Sequence, residues 1–269
     1  MAGKHISILG CGWLGLPLAK HLIKLGYSVK GSTTTVTKTE SLKQQVIVPY
    51  LVKLSENNIE GDIKGFLEGT KTLIIDIPPG LRGGSNERFT NKINQLIPHI
   101  EAAQVKNVLF VSSTSVYGDS QGIVTEDTEA LPVTESGRQL LETEQLLQEN
   151  KMFNTTIVRF GGLIGEDRHP VNHLAGKENI KDADAPINLI HREDCIGIIT
   201  AITEQQAWGE IFNGVAPYHP SRKEYYTEKA KQKNLPLPLF SREEASGVKV
   251  IAADKVTEVL KFRFKFAEL

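Results

Sequence analysis

The feature that most constrains the fold of this chain is a strand, a glycine-rich turn and a helix within its first 26 residues. Residues 6–9 form a short β-branched and aliphatic run. Leucines recur at helical spacing from Leu14 until Gly26 ends the pattern. The turn between them, residues 10–15, reads Gly-Cys-Gly-Trp-Leu-Gly and matches GxGxxG. In this context the glycines allow a tight turn, close approach of the backbone to a diphosphate, and packing of helix on strand, which predicts a dinucleotide site.

The alternation of strands and helices continues to about residue 160. Strand candidates are 27–31, 46–52, 72–77, 107–112 and 155–160, and helix candidates are 37–45, 86–103 and 135–150. Residues 108–111 are all apolar, as expected of a central parallel strand that helices cover on both faces. We therefore predict an α/β fold with a Rossmann-type doubly wound parallel sheet and a small C-terminal lobe on the substrate side.

The later part of the chain has a looser pattern. Its clearest elements are a helix near 193–204, a strand at 210–213 and a helix near 221–233. No repeat or linker-like boundary is visible, so we expect one compact unit. Residues 1–162 and 187–214 are expected to form the dinucleotide-binding core, and residues 163–186 and 215–269 a small capping lobe. Cations and aromatic residues alternate over Lys261–Phe266, which predicts a half-buried edge strand.

Charge and composition argue against several classes of partner. Lys and Arg total 31 against 32 Asp and Glu, so no attraction to nucleic acid or to a membrane surface is expected. No stretch approaches the roughly 18 apolar residues that span a bilayer, and residues 6–19 lack the cleavage site of a signal peptide. Cys11 and Cys195 are expected to be spectators in a reducing cytoplasm. His169 and His173 stand four apart, but a proline separates them and the ligand set is incomplete, so no metal site is expected.

The end of the second strand bears on the choice of coenzyme. An acidic residue there binds the ribose 2′-hydroxyl of NAD and repels the 2′-phosphate of NADP. Residues 31–38 contain no acidic residue and carry hydroxyls followed by a lysine. We predict NADP in preference to NAD on this charge argument; the alternative is that the hydroxyls cap the next helix. The predicted coenzyme-binding residues are Gly10, Gly12, Trp13, Leu14, Gly15, Ser32, Thr33, Thr34 and Lys38.

Later segments carry a family resemblance. The fifth strand runs into Ser-Ser-Thr-Ser-Val-Tyr-Gly-Asp at residues 112–119, and Ser-Gly-Arg-Gln-Leu-Leu begins at Ser136. Together with the glycine motif, residues 159–162 and residues 190–194, this order resembles the extended short-chain dehydrogenase/reductase superfamily, in its NAD-dependent epimerase/dehydratase branch. The resemblance covers most of the chain. It implies a nicotinamide coenzyme, a small-molecule substrate, and a homodimer through the helix near 135–150.

In that superfamily a serine after the fifth strand works with a Tyr-x-x-x-Lys pair on the next helix. The tyrosine transfers a proton, the lysine lowers the pKa of the tyrosine, and the serine orients the substrate oxygen. The resemblance assigns the serine to Ser113, the tyrosine position to Ser136 and the lysine position to Leu140. Loss of a positioned acid typically costs about 10² to 10⁴ in rate. The chain therefore resembles an atypical subgroup that lacks the Tyr-Lys pair.

Few residues are available to replace the missing acid. Tyr117 lies on the same loop as Ser113, and Arg138 and Gln139 share a helix with Ser136. A structural role competes with a chemical one at each. The candidate catalytic residues are Ser113, Tyr117 and Ser136. Two functions remain open: an NAD(P)-dependent oxidoreductase or epimerase/dehydratase-like enzyme acting on a small hydroxyl- or carbonyl-bearing metabolite, and a catalytically silent NADP-binding sensor or scaffold.

Overall fold

The computed structural model describes residues 5–80, 87–241 and 247–269. In these ranges the strands are β1 His5–Leu9, β2 Ser28–Thr33, β3 Val48–Leu54, β4 Ile59–Gly61, β5 Thr72–Ile75, β6 Asn107–Ser113, β7 Gly122–Val124, β8 Asn154–Phe160, β9 Gly162–Ile164, β10 Leu189–His191, β11 Ile211–Gly214 and β12 Lys249–Ile251. The helices are α1 Gly15–Lys24, α2 Val36–Lys43, α3 Ile63–Leu67, α4 Phe89–Ala102, α5 Glu135–Glu149, α6 Val171–Leu174, α7 Arg192–Gln205, α8 Arg222–Gln232 and α9 Asp254–Val259.

The central sheet has eight strands in the order β11-β8-β6-β5-β1-β2-β3-β4. All pairs are parallel except β3 with β4. The chain runs outward from β1 through β2 to β3 and then returns to β5 on the other side of β1. This is the predicted doubly wound Rossmann arrangement, and the prediction of fold class is confirmed. Ligands of such sheets bind beyond the carboxyl ends of the strands where the order reverses, which here lies beyond Leu9 and Ile75.

Apolar side chains from the two faces of the sheet enter two separate layers. One layer includes Leu18 of α1 and Ile198 of α7, and the other includes Phe66 of α3. Successive residues of β5 supply both layers, Ile74 the first and Ile75 the second, because strand side chains alternate between faces. Full burial of an aliphatic side chain contributes about 1.5–3 kcal/mol, so both layers hold the sheet that positions the loops above it.

A third apolar cluster lies in the later part of the chain. It joins segments near β9, α6, β10 and α8 through Ile164, Val171, Ile187, Leu189, Tyr225, Tyr226 and Ala230. The two-stranded pair of β9 and β10 links this cluster to the carboxyl edge of the central sheet. The division into core and lobe stays a prediction. None of the helices in the described ranges has both the length and the apolar character needed to cross a bilayer.

The edge strand predicted for Lys261–Phe266 is wrong. These residues form no strand, and together with residues 267–269 they make up a segment that we call the C-terminal strap. Phe262 packs against Gly197 of α7. The Asp194 carboxylate accepts the backbone N–H groups of Lys265 at 2.7 Å and Phe266 at 3.0 Å. The backbone N–H groups of the strap therefore bond to a carboxylate, and its aromatic side chains pack on a helix. The alternating pattern had predicted that a neighbouring strand would make these contacts.

Candidate functional site: the crevice beside the glycine loop

Residues 10–15 connect β1 to α1 at the reversal of strand order. Gly10 has a φ of 108°, and a Cβ there would lie 2.3 Å from the Asp76 carbonyl oxygen. A Cβ on Gly15 would lie 2.1 Å from the Gly10 carbonyl oxygen. A Cβ on Gly12, by contrast, would meet nothing within 4 Å. Gly10 and Gly15 are thus required by packing, whereas Gly12 borders open space where a ligand can approach the backbone.

Only some of the backbone N–H groups at the start of α1 have a hydrogen-bond acceptor among the described residues. Gly12 donates to the Gly10 carbonyl at 2.8 Å, and Leu16 donates to the Gly12 carbonyl at 3.2 Å. The N–H groups of Trp13 and Leu14 have no acceptor in the described part of the chain. Free N–H groups at a helix N-terminus, together with the helix dipole, bind anions. The loop therefore fits the diphosphate of a dinucleotide.

A cavity of about 320 Å³ opens beside the glycine loop. Its lining includes the predicted residues Gly10, Gly12, Ser32, Thr33, Thr34 and Lys38. Leu14 and Gly15 are buried and do not line it. Other lining residues were not indicated by the sequence, among them Lys53, Asp76, Ile77, Phe89 and Lys92. Asp76 alone carried a visible signal, since it directly follows the apolar run of β5.

The polar residues at the end of β2 have two different roles. The Ser32 hydroxyl accepts the Gly10 N–H at 2.9 Å, and the Thr33 hydroxyl accepts the Thr35 N–H at 3.1 Å, so both brace the loop. Thr35 is the N-cap of α2, and its side chain makes no capping hydrogen bond. Lys38 is exposed and makes no ion pair within the described residues. Its charge is therefore available to a phosphate in the cavity.

Asp76 lies at the floor of the crevice, where β5 ends. Its carboxylate accepts the N–H of Gly15. Removal from water raises the pKa of Asp76 to about 8, and the hydrogen bond from Gly15 opposes that rise. Burial, with a smaller contribution from Asp76, raises the pKa of Cys11 to about 12. Cys11 is therefore a neutral thiol near pH 7, and neither it nor Cys195 forms a disulfide.

Two of the candidate catalytic residues lie near one another at the carboxyl edge of the sheet. Ser113 ends β6, is half-buried, and accepts the Ser115 N–H at 3.2 Å, which leaves its hydroxyl proton available to donate. Ser136 is half-buried in the first turn of α5. That turn packs tightly on the Ser113 loop, because a Cβ on Gly137 would lie 2.2 Å from the Ser115 carbonyl oxygen.

The third candidate, Tyr117, is fully buried. Its hydroxyl accepts a hydrogen bond from Arg159 at 2.7 Å and donates to Asn213 Oδ1 at 3.0 Å. Arg159 in turn pairs with buried Glu144 at 2.6 Å, and Glu144 accepts the Ser112 hydroxyl. Burial raises the pKa of Tyr117, although the charge of Arg159 opposes this. These contacts place Tyr117 in a buried polar network beside α5, with its polar atom already partnered.

The remaining candidates on α5 also have structural partners. Gln139 is buried, and its Oε1 accepts the Phe89 N–H at 2.8 Å, which fixes the start of α4. Leu140 is 5% exposed and belongs to the apolar layer on that face. Arg138 is exposed and pairs with Glu135 at 3.1 Å. Each of these side chains is therefore explained by packing or by local pairing.

The Trp13 side chain leaves the glycine loop and reaches the turn 165–168, which follows β9. Its Nε1–H donates to Asp167 Oδ1 at 3.0 Å. The guanidinium groups of Arg168 and Arg192 lie 5.0 Å and 4.7 Å from the ring centre. The sequence assigned Trp13 to the coenzyme through its place in the motif, and gave no sign of a contact 154 residues away.

His169 is a structural residue of the later cluster. Its Nε2 lies 3.0 Å from the Tyr225 hydroxyl, and its Nδ1 accepts the Val171 N–H at 3.1 Å. Burial, assisted by Lys233 and Lys229, lowers the pKa of His169 to about 4. Both ring nitrogens are engaged and the ring is neutral near pH 7. Across the described ranges, no group of three His, Cys, Asp or Glu side chains is arranged to hold a metal ion.

Comparisons with known proteins agree with the fold described above. Residues 10–204 match the family described as NAD(P)H-binding. The protein YeeZ of Escherichia coli strain K12 is 35% identical over 267 residues, covering 98% of this chain and 97% of that protein. A UDP-glucuronic acid 4-epimerase from Bacillus cereus, solved with UDP-glucuronic acid and NAD, superposes with a TM-score of 0.78 at 18% identity, covering 97% of this chain and 94% of that one. A short-chain dehydrogenase/reductase superfamily protein from Agrobacterium tumefaciens, solved with bound NAD, has a TM-score of 0.78 at 16% identity over 97% and 93%.

Proposed function

This chain belongs to the NAD(P)H-binding family, and we propose that it is an NADP-dependent oxidoreductase or epimerase/dehydratase-like enzyme acting on a small hydroxyl- or carbonyl-bearing metabolite. The epimerase/dehydratase-like fold and the resemblance to the short-chain dehydrogenase/reductase superfamily are confirmed. The proposal rests on the cavity lined by Lys38 and on the adjoining start of α1, where the N–H groups of Trp13 and Leu14 have no acceptor among the described residues.

The residues of the crevice fit the parts of NADP. The N–H groups of Trp13 and Leu14 hold the diphosphate, with Gly12 leaving room for it. Thr34 and Lys38 hold the 2′-phosphate, because β2 ends without a carboxylate that would repel it. Lys53 and Lys92 also line the cavity, although each is paired with a glutamate. The excess of positive charge supports NADP in preference to NAD.

The chemistry divides between the coenzyme and the chain. The bound nicotinamide supplies hydride transfer. Ser113 orients the substrate oxygen by donating its hydroxyl proton, since its oxygen already accepts the Ser115 N–H. Ser136 and Leu140 occupy the positions assigned to the tyrosine and the lysine, and we propose that no positioned acid replaces that pair. Because such an acid contributes about 10² to 10⁴ in rate, we expect slow turnover.

Calorimetric titration tests the coenzyme assignment. We expect wild-type protein to bind NADPH more tightly than NADH, and Lys38→Ala to reduce that preference about tenfold, since a charged hydrogen bond contributes about 1.5–3 kcal/mol. Lys43→Ala is the matched control, because Lys43 lies at the other end of α2 and pairs with Glu40. Equal affinity of the wild type for the two coenzymes, unchanged in Lys38→Ala, contradicts the NADP preference.

Turnover with a panel of aldehydes, ketones and sugar nucleotides tests the reaction. We expect Ser113→Ala to reduce turnover about tenfold or more, because it removes the donor to the substrate oxygen. Tyr117→Phe is the informative comparison, since Tyr117 shares the loop but is buried. It is expected to retain turnover per folded molecule. Turnover that Tyr117→Phe abolishes without unfolding the protein would assign the proton transfer to that phenol instead.

A second candidate function is a catalytically silent NADP-binding sensor or scaffold. The observation that favours it is the buried Leu140, which packs in the apolar layer where the resemblance places a catalytic lysine. Tight coenzyme binding without turnover across the whole panel would support this function over the enzyme.

Three further features belong to the same proposal. The substrate is small, because the part of the chain after Gly161 is short and includes β11, which returns to the central sheet. Any homodimer uses α5, with α4 beside it. The compartment is the reducing cytoplasm, in keeping with the two buried thiols, Cys11 and Cys195.

A further inference from the structure

The turn 165–168 is held rigidly beside the glycine loop. Gly165 and Arg168 exchange backbone hydrogen bonds of 2.8 Å and 3.2 Å, which close the turn. A Cβ on Gly165 would lie 2.9 Å from the Trp13 ring, so the indole packs directly on the turn. On the other side, the next residue, His169, is fixed by its two ring nitrogens. The backbone that carries Arg168 therefore has a defined position relative to the residue that begins α1.

The two arginines on the indole differ in their partners. Arg192 is 21% exposed and is neutralised by Glu166 at 2.8 Å and Asp167 at 3.3 Å. Arg168 is exposed and has no ion pair within the described residues. Asp167 is also the acceptor for Trp13 Nε1. The local charges thus consist of two carboxylates and two arginines, and of the two arginines Arg192 lies within ion-pair distance of both carboxylates whereas Arg168 pairs with neither.

The Arg168 guanidinium and the anion-binding donors of the glycine loop meet at one residue, Trp13. Trp13 supplies both the indole on which Arg168 rests and one of the N–H groups without an acceptor. Guanidinium groups bind phosphates through two parallel hydrogen bonds. Stacking on an aromatic ring restricts the rotamers of an arginine before a ligand binds, so the side chain loses less conformational freedom on binding. An exposed cation–π contact contributes only about 0.5–1 kcal/mol, so this contact alone is a weak reason for an exposed arginine without an ion pair at this place.

We propose that Arg168 is a binding residue for the diphosphate of the coenzyme, held over Trp13 so that its charge adds to the N–H groups of the glycine loop. This inference rests on the proposed coenzyme function. It assigns a long-range partner to the loop, from the turn after β9, and it makes Trp13 the platform for that partner. The same guanidinium chemistry would suit an anionic group of the substrate, and the experiment separates these two sources.

The test compares ligands that contain or lack the diphosphate. We expect Arg168→Ala to weaken binding of NADP and of NAD by the same factor, about tenfold, which corresponds to about 1.4 kcal/mol. Binding of adenosine 2′-monophosphate, which has no 5′-diphosphate, is expected to change less than twofold. Arg168→Lys is expected to recover part of the loss, since it keeps the charge. Arg263→Ala is the matched control, because Arg263 is an exposed arginine of the C-terminal strap.

The outcomes separate the inference from the function on which it rests. Wild-type protein that binds neither NADP nor NAD contradicts the proposed function. Wild-type protein that binds both, with unchanged affinities in Arg168→Ala, overturns the role of Arg168 and leaves the crevice assignment in place. An equal loss for adenosine 2′-monophosphate also overturns it, because it shows a general distortion of the crevice. Lys38→Ala gives the opposite selectivity: a loss for NADP and no loss for NAD.

Discussion

Asp76 is the residue whose ionisation most affects the crevice. Its pKa rises from 3.8 to about 8 on folding, because the carboxyl is removed from water beneath the glycine loop. The folded protein therefore binds this proton more tightly than the unfolded chain does. It follows that the contribution of Asp76 to the free energy of unfolding is greatest at low pH, decreases as pH rises through the window between these two values, and is constant above it.

Replacement by asparagine isolates this effect. Asp76→Asn keeps an oxygen that can accept the Gly15 N–H and removes the charge. We expect the variant to gain stability relative to wild type as pH rises from 6 to 8, by up to about 1.4 kcal/mol per pH unit. Urea unfolding at several pH values measures the difference. Asp184→Asn, at an exposed carboxylate, is the control. Parallel pH profiles for wild type and Asp76→Asn would contradict the argument.

At the scale of elements, strand length decides what the sequence could predict. The longer elements were predictable. The elements β1, α1, β6 and β8 contain clear apolar patterns, and glycines mark several of their ends. The strands β4, β7, β9, β10 and β12 have three residues each, which is too short to show a period of two. This limits site prediction as well, because the short strand β9 leads into the turn that carries Arg168.

The C-terminal strap shows the reverse case, a periodic segment that is not a strand. Its attachment depends on Asp194, which is 1% exposed and accepts two backbone N–H groups of the strap. Asp194→Asn places an amide N–H₂ against one of these donors, and a buried unsatisfied donor costs about 1–3 kcal/mol. We expect trypsin to cut the strap about tenfold faster in this variant, by local opening. Peptide mass analysis after brief digestion measures the cut.

Glu193→Gln is the control for that experiment. Glu193 pairs with the exposed Lys265 side chain of the same strap, and surface ion pairs contribute little. Digestion of this variant is expected to match wild type. Equal digestion of all three proteins would show that the aromatic packing on α7, and not Asp194, holds the strap.

For the whole molecule, local sequence patterns predicted the fold and part of the site. The other residues of the site depend on long-range contacts that only the structure shows. Gly10, Gly12 and Lys38 were predictable because motif and strand end are local features. The contact of Trp13 with Asp167 was not, since it joins residues 154 positions apart. The partners of Tyr117 were also out of reach, since Asn213 is 96 positions away. Roles could be assigned to these side chains only once the structure showed their contacts.

The surface of α4 and α5 decides how strongly two copies can associate. Most of the exposed residues of these helices are polar, among them Asn91, Asn94, Gln95, Arg138, Gln145 and Gln148. The large exposed apolar side chains of the described chain lie elsewhere, for example Ile123 and Met152. Stable homodimer interfaces are about 65% apolar. A homodimer through α4 and α5 should therefore be weak.

We expect light scattering at about 10 µM to give the monomer mass of 29.7 kDa, because a polar face of this kind supports only transient association. A species of twice that mass at the same concentration contradicts this expectation. Gln148→Arg would then locate the interface, since it places a cation on the face of α5. Ile123→Lys is its control, on β7 outside both helices. Dissociation by Gln148→Arg alone would place the interface on α5. Dissociation by Ile123→Lys alone would place the interface at β7 instead.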